Sequence, residues 1–173
     1  MVSFEKKENL MLKKIDKTVK YVGYIHLRSY DPDSVLALVG PDNKPIEVNI
    51  DETQYKIKVS SLRLQCFKRS KVCTECGLVG TIISVDAFTI KSDQTGVHFN
   101  LYGEKDGKSR LMTKDHIIPK SKGGPDHLDN LQTMCDQCNN TKGSTVIVEK
   151  AAPYGDKLNI KIGEFYEIAR QRN

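Results

Sequence analysis

The chain has 173 residues, 38% of them hydrophobic, which suffices for one modest core, and 27 Lys and Arg against 22 Asp and Glu leave a formal charge of +5. No apolar run approaches the roughly 20 residues of a membrane span, and the opening MVSFEKKENLMLKK lacks the apolar segment and small-residue cleavage site of a secretory signal. The expectation on these grounds is a cytoplasmic, intracellular protein rather than a membrane one.

In chain order, residues 1–18 alternate Lys and Glu with Leu10, Leu12 and Ile15, which suggests a short helix or a mobile arm. Lys6, Lys7, Lys13, Lys14, Lys17 and Lys20 form a first basic cluster there. From Tyr21 to about Lys58, YVGYIHL, SVLALVG, PIEVNI and YKIKV are rich in β-branched and aromatic residues, and DPD and GPDNKP separate them as turns. This predicts a small β meander. SSLRLQCFKRS predicts a helix capped by Ser60 or Ser61, with Leu62, Leu64 and Phe67 in the core. Its basic end, together with Arg63, forms a second cluster: Lys68, Arg69 and Lys71. Either cluster fits a phosphate-binding surface, with a solvated face as the alternative. VHFNLYGEKDGKSRLMTKDHII predicts two strands around an Asp106-Gly107 turn, the second running into Asp115-His116. Pro119 and Gly123-Gly124-Pro125 end that strand, HLDNLQTMCDQCNNTKG predicts a loop entering a short helix, and IKIGEFYEIARQRN predicts a closing helix with Phe165, Tyr166 and Ile168 inward.

Cys73-Thr-Glu-Cys76 and Cys135-Asp-Gln-Cys138 are two turns of identical spacing, and four thiolates so paired suit one tetrahedral, structural Zn²⁺. Cys76 and Cys135 lie 59 positions apart, so a folded insertion must bring the pairs together. Cys66 stands outside the pairs and is expected to be an ordinary buried thiol.

Asp115-His116-Ile-Ile-Pro, a Lys/Gly turn, Asn130-Leu-Gln and Cys135-x-x-Cys138-Asn-x-x-Lys-Gly follow one another, with the partner Cys pair upstream. From about Cys73 to Gly143 this pattern closely resembles the HNH endonucleases, the ββα-metal nucleases, of the kind carried by phages and mobile elements. The expected architecture is therefore α+β: an N-terminal β-rich region over residues 1–58, a zinc-stapled ββα-metal nuclease core over 59–146, and a tail with a closing helix over 147–173. The resemblance implies a metal-dependent DNA endonuclease that leaves 5′-phosphate and 3′-hydroxyl ends.

Each residue chemistry suits that role. His116 is the candidate general base, because an unperturbed imidazole titrates near neutrality. Asp115 and the amide oxygen of Asn139 are hard ligands for Mg²⁺ or Mn²⁺. Adjacent residues on a regular strand point to opposite faces, so both reach one centre only if the strand ends or twists there. Asn130 resembles the family's middle Asn, which holds the loop and the base by bonding backbone groups. Lys120, Lys122 and Lys142 flank the site as candidate phosphate contacts, His98 and His127 are not expected to be ligands, and His26 is assigned to ordinary packing. The partner implied is double-stranded DNA, with a homodimer allowed. A zinc-stabilised binding module that does not cut, and a nuclease selective for branched DNA, are the alternatives. The binding module has no need of Asp115, His116 and Asn139 together.

Overall fold

The computed structural model describes residues 24–41, 44–90 and 94–146. The expected N-terminal arm, its lysine cluster and the closing helix lie outside these residues. The described chain builds a five-stranded antiparallel sheet in the order β1 (Ile25–Tyr30), β4 (Ile82–Ile90), β5 (Gln94–Lys105), β6 (Lys108–His116), β7 (Leu131–Cys135). A separate hairpin pairs β2 (Pro45–Ile50) with β3 (Thr53–Lys58), and three short helices complete the set: α1 (Pro32–Leu36), α2 (Leu62–Arg69) and α3 (Asp136–Lys142). This is the expected mixed α+β fold, dominated by strands. No helix among the described residues is long and apolar enough to cross a membrane.

Local chemistry accounts for several boundaries. Asp106 and Gly107 both take positive φ, 54° and 68°, which a two-residue hairpin turn of this hand demands, and Lys105 faces Lys108 across it. Ser61 caps α2, its hydroxyl accepting from the Leu64 N–H at 3.3 Å. Leu64 and Phe67 are buried as expected, whereas Leu62 is only half-buried.

Two expectations are corrected. The meander is interrupted, because the strand expected at SVLALVG is the helix α1. The DPD taken for a turn is its start: Asp31 caps the helix, accepting from the Ser34 N–H at 2.9 Å, and Pro32 occupies the first turn, where its missing N–H costs nothing. The loop expected before the last helix contains a further strand, β7, whose five residues are all buried. β4 is a strand the sequence pattern did not single out.

One apolar cluster unites both sheets. Val48, Ile50 and Ile57 of the hairpin and Leu64 and Phe67 of α2 share it with Ile83, Val85, Phe99, Leu101, Met112 and Met134 of the main sheet. Each fully buried side chain of this size contributes about 1.5–3 kcal/mol relative to exposure. The hairpin β6–β7, in register from Met112↔Cys135 to His116↔Leu131, packs between α2 and α3 and carries the candidate site at its loop end.

Candidate active site

The two Cys-x-x-Cys turns meet. The sulfurs of Cys73, Cys76, Cys135 and Cys138 all lie within 4.8 Å of one another, and Cys76 Sγ stands 3.8 Å from Cys135 Sγ. A tetrahedral zinc with bonds near 2.3 Å implies sulfur separations of about 3.8 Å, so the cluster fits that ion. The turns are built alike. Gly77 takes φ 73° so that its N–H returns to the Cys73 carbonyl at 3.0 Å, and Cys135 caps α3 with its sulfur facing the Cys138 N–H at 3.5 Å. The Thr74 N–H bonds the Thr133 carbonyl at 2.9 Å, stitching the first turn to β7. Burial opposes ionisation of three of the thiols; it raises Cys135 and Cys138, while at Cys73 backbone N–H groups of Cys76, Cys135 and Glu75 outweigh it and hold the thiol at about 7. Four thiolates cannot share so small a volume without a cation, which is the chemistry a bound metal supplies.

Beyond the cluster, β6 runs in register through His116, and its side chains leave by alternate faces. Thr113 and Asp115 face α3. Asn139 donates to Thr113 Oγ1 at 2.9 Å, on the face of β6 that Asp115 shares. Asp115 is buried, and both of its oxygens are engaged: Gln132 Nε2 donates to Oδ2 at 2.8 Å, and Lys142 Nζ lies 3.1 Å from Oδ1 and 3.0 Å from Oδ2. Lys142 also donates to the His116 carbonyl at 2.9 Å. Asp115 offers a carboxylate and Asn139 an amide carbonyl, each a hard oxygen donor. The buried ammonium of Lys142 shares that carboxylate. Lys142 is thus an internal tie, where the sequence suggested a surface phosphate contact. A short helix does not declare which of its faces packs, and here the last turn of α3 closes onto the end of β6.

Lys114 and His116 leave by the other face and converge on Asp126. His116 Nε2 lies 3.1 Å from Asp126 Oδ1, Lys114 Nζ 2.7 Å from the same oxygen, and Lys120 Nζ 3.2 Å from Oδ2. Hydrogen bonds from Lys114 and Lys120 hold the Asp126 carboxyl well below the usual carboxylate range, so it is ionised throughout the neutral region. An ionised Asp126 accepting from Nε2–H leaves Nδ1 as the basic nitrogen of His116.

The loop between β6 and β7 is pinned by Asn130, which is fully buried. Its Oδ1 accepts from the Ile118 N–H at 2.9 Å, and its Nδ2 donates to the carbonyls of Ile118 at 3.0 Å and Pro125 at 2.9 Å. Gly124 belongs to the same knot, since a Cβ there would stand 1.7 Å from the Ile118 carbonyl oxygen. Together these contacts fix where the strand ends after His116.

The other nominated residues disperse. In the second basic cluster Lys68 donates to the Val39 carbonyl at 2.6 Å, Arg69 pairs with Asp129 at 2.9 Å and Lys71 with Asp33 at 2.5 Å, contacts that tie α2 to its neighbours. Lys122 is half-buried in a 3-10 turn, Lys120–Lys122. Cys66 is a buried thiol, raised by burial. His127 is mostly exposed, and its ring accepts from the Asp129 N–H at 3.3 Å. His26 is not in apolar packing; it joins a buried polar network, with Nδ1 against Ser84 and Asp86 and Nε2 2.9 Å from Ser29 Oγ. Asp86, enclosed there with Asn100 and the Tyr102 hydroxyl, remains an acid of lowered pKa because these hydrogen bonds outweigh its burial.

Asp126, Lys114 and Gln132 were missed by the sequence reasoning. Gln132 is half legible: it faces Asp115 across β6–β7, so recognising β7 would have found it. Nothing local separates Asp126 from Asp129.

No curated protein and no solved structure matches the chain. Residues 101–150, which carry Asp115, His116, Asn130, Asn139 and the second Cys pair, match the family model described as HNH endonuclease.

Proposed function

We propose that the chain is a metal-dependent DNA endonuclease whose centre is the loop end of β6–β7. The observation that carries this is the division of labour at Asp115-His116. The oxygen ligands leave on the α3 side with Asn139, and the candidate base leaves on the opposite side with Asp126. Side chains that leave a strand by opposite faces reach one phosphate only where the strand ends, and β6 ends at His116, so the base and the ligand pair can flank a phosphate held at that end. His116 takes the proton of the attacking water at Nδ1, while Asp126 holds the ring by Nε2 and stabilises the imidazolium that results. Lys142 fixes both the Asp115 carboxylate and the His116 carbonyl, and Asn130 keeps the following loop from sagging into the site. A Mg²⁺ or Mn²⁺ ion, when bound by Asp115 and Asn139, neutralises phosphate charge and assists the leaving oxygen. Zinc is structural and separate, because four thiolates leave no coordination position for water.

The test is a metal titration of variant activity. Asp115→Ala and Asn139→Ala should cut plasmid DNA slowly, with residual rates that climb as Mg²⁺ or Mn²⁺ is raised, and the new ends should carry 5′-phosphates that a ligase accepts directly. Wild-type rates in both variants at low metal would remove the ligand assignment. Binding without cutting in the wild-type protein, across metals, would favour the zinc-stabilised binding module.

A further inference from the structure

A groove of about 880 Å³ lies between β3, the start of α2, the middle of β5 and the end of β6. Every charged side chain lining it is basic: Lys56, Lys58, Arg63 and Lys114. No carboxylate lines it among the described residues. Lys56 is 71% exposed, its nearest acid being Glu47 at 4.0 Å across the hairpin. Lys58 is exposed. Arg63 is held rigidly at the floor, donating to Asn100 Oδ1 at 2.7 Å and the Phe99 carbonyl at 2.6 Å, so its guanidinium is fixed rather than sweeping through solvent. Lys114 closes the groove at the β6 end, and it reaches the same Asp126 oxygen that meets His116. The groove therefore ends two side chains from the candidate base.

Four cations along one concave wall repel one another, and low-dielectric walls concentrate their field into the space between. Such a space favours a polyanion with regularly spaced charges. We infer that this groove, built by the β2–β3 hairpin and the start of α2, holds a sugar–phosphate backbone of the same DNA whose scissile phosphate lies at His116. This rests on the nuclease proposal only for the position of the cut; the groove's charge argues for nucleic acid independently. It gives the N-terminal hairpin a role as a backbone clamp outside the matched segment, and it places DNA contacts on residues other than the Lys68–Lys71 cluster.

The experiment is a salt titration of binding by fluorescence anisotropy, using zinc-loaded full-length protein and labelled duplex DNA without added Mg²⁺ or Mn²⁺. Lys56→Glu/Lys58→Glu is compared with Lys105→Glu/Lys108→Glu, an equal charge reversal at the β5–β6 turn. Zinc content and circular dichroism verify folding, and Lys56→Gln/Lys58→Gln serves if the reversal does not fold. The groove double variant should bind about tenfold or more weakly and lose about 2 from the salt slope, at roughly 0.9 per phosphate contact, whereas the turn double variant should keep its slope. Equal weakening by both doubles, or none from the groove double, overturns the inference, and it does so whether or not wild-type protein cuts. Groove-dependent binding in a protein that never cuts would uphold the groove and sink the nuclease proposal.

Discussion

Lys142 joins Asp115 to the backbone of His116, and it does so from inside the protein, with side-chain exposures of 4% and 7% for the pair. A buried ion pair contributes little net stability over an apolar pair, but stripping one partner leaves a desolvated charge behind. Lys142→Met should therefore cost about 3–5 kcal/mol, read as a lowered urea midpoint at unchanged slope. The exposed pair Lys120–Asp126 sets the contrast: Lys120→Ala should cost under about 1 kcal/mol. A Lys142→Met variant as stable as wild type would mean that the carboxylate finds water, and that the ammonium does not organise the site. The lysine was visible in the sequence as part of Cys-Asn-Asn-Thr-Lys-Gly, but its direction was not. Seven helical residues offer every face, and the choice is made by β6 packing across the helix.

At the scale of elements, the loop from Ile117 to Asn130 decides where β6 stops, and three bonds of one buried amide close it. Gly124 passes so near the Ile118 carbonyl that any side chain must push the two apart. Gly124→Ala should destabilise by about 1–3 kcal/mol, the cost of leaving buried polar groups unpaired, and should expose the Ile118 amide to hydrogen exchange. Exchange at Ile118 as slow as in wild type would show that the knot tolerates the methyl. Elements whose cause is local were legible: the Asp106-Gly107 turn, the Ser61 cap and the Cys pairs each follow from a few adjacent residues. α1 was misread because Asp-Pro serves turns and helix starts equally, and five residues are too few for a helical period. β7 shows no alternation, being buried on both faces, and β4 carries Ser84 and Asp86 among its apolar residues, polar groups that make sense only beside Asn100 and Tyr102 of β5 and His26 of β1.

The whole molecule is a sheet whose functional end is fixed from two directions. The Cys cluster binds the turn after α2 to the start of α3, and the cluster of apolar residues fastens the N-terminal hairpin to the same sheet. The candidate site residues were legible as a motif, since Asp115, His116, Asn130 and Asn139 are recognised by order and spacing. The contacts that Asp126, Gln132 and Lys142 make with them were not, because each arrives through tertiary packing. The central claim is that this arrangement breaks phosphodiester bonds with His116 as base. Its most direct test is plasmid cleavage by His116→Ala in Mg²⁺, at zinc content, melting temperature and DNA affinity matched to wild type. A general base predicts a loss of at least about 100-fold that added metal does not restore. Cleavage by His116→Ala at the wild-type rate would contradict it.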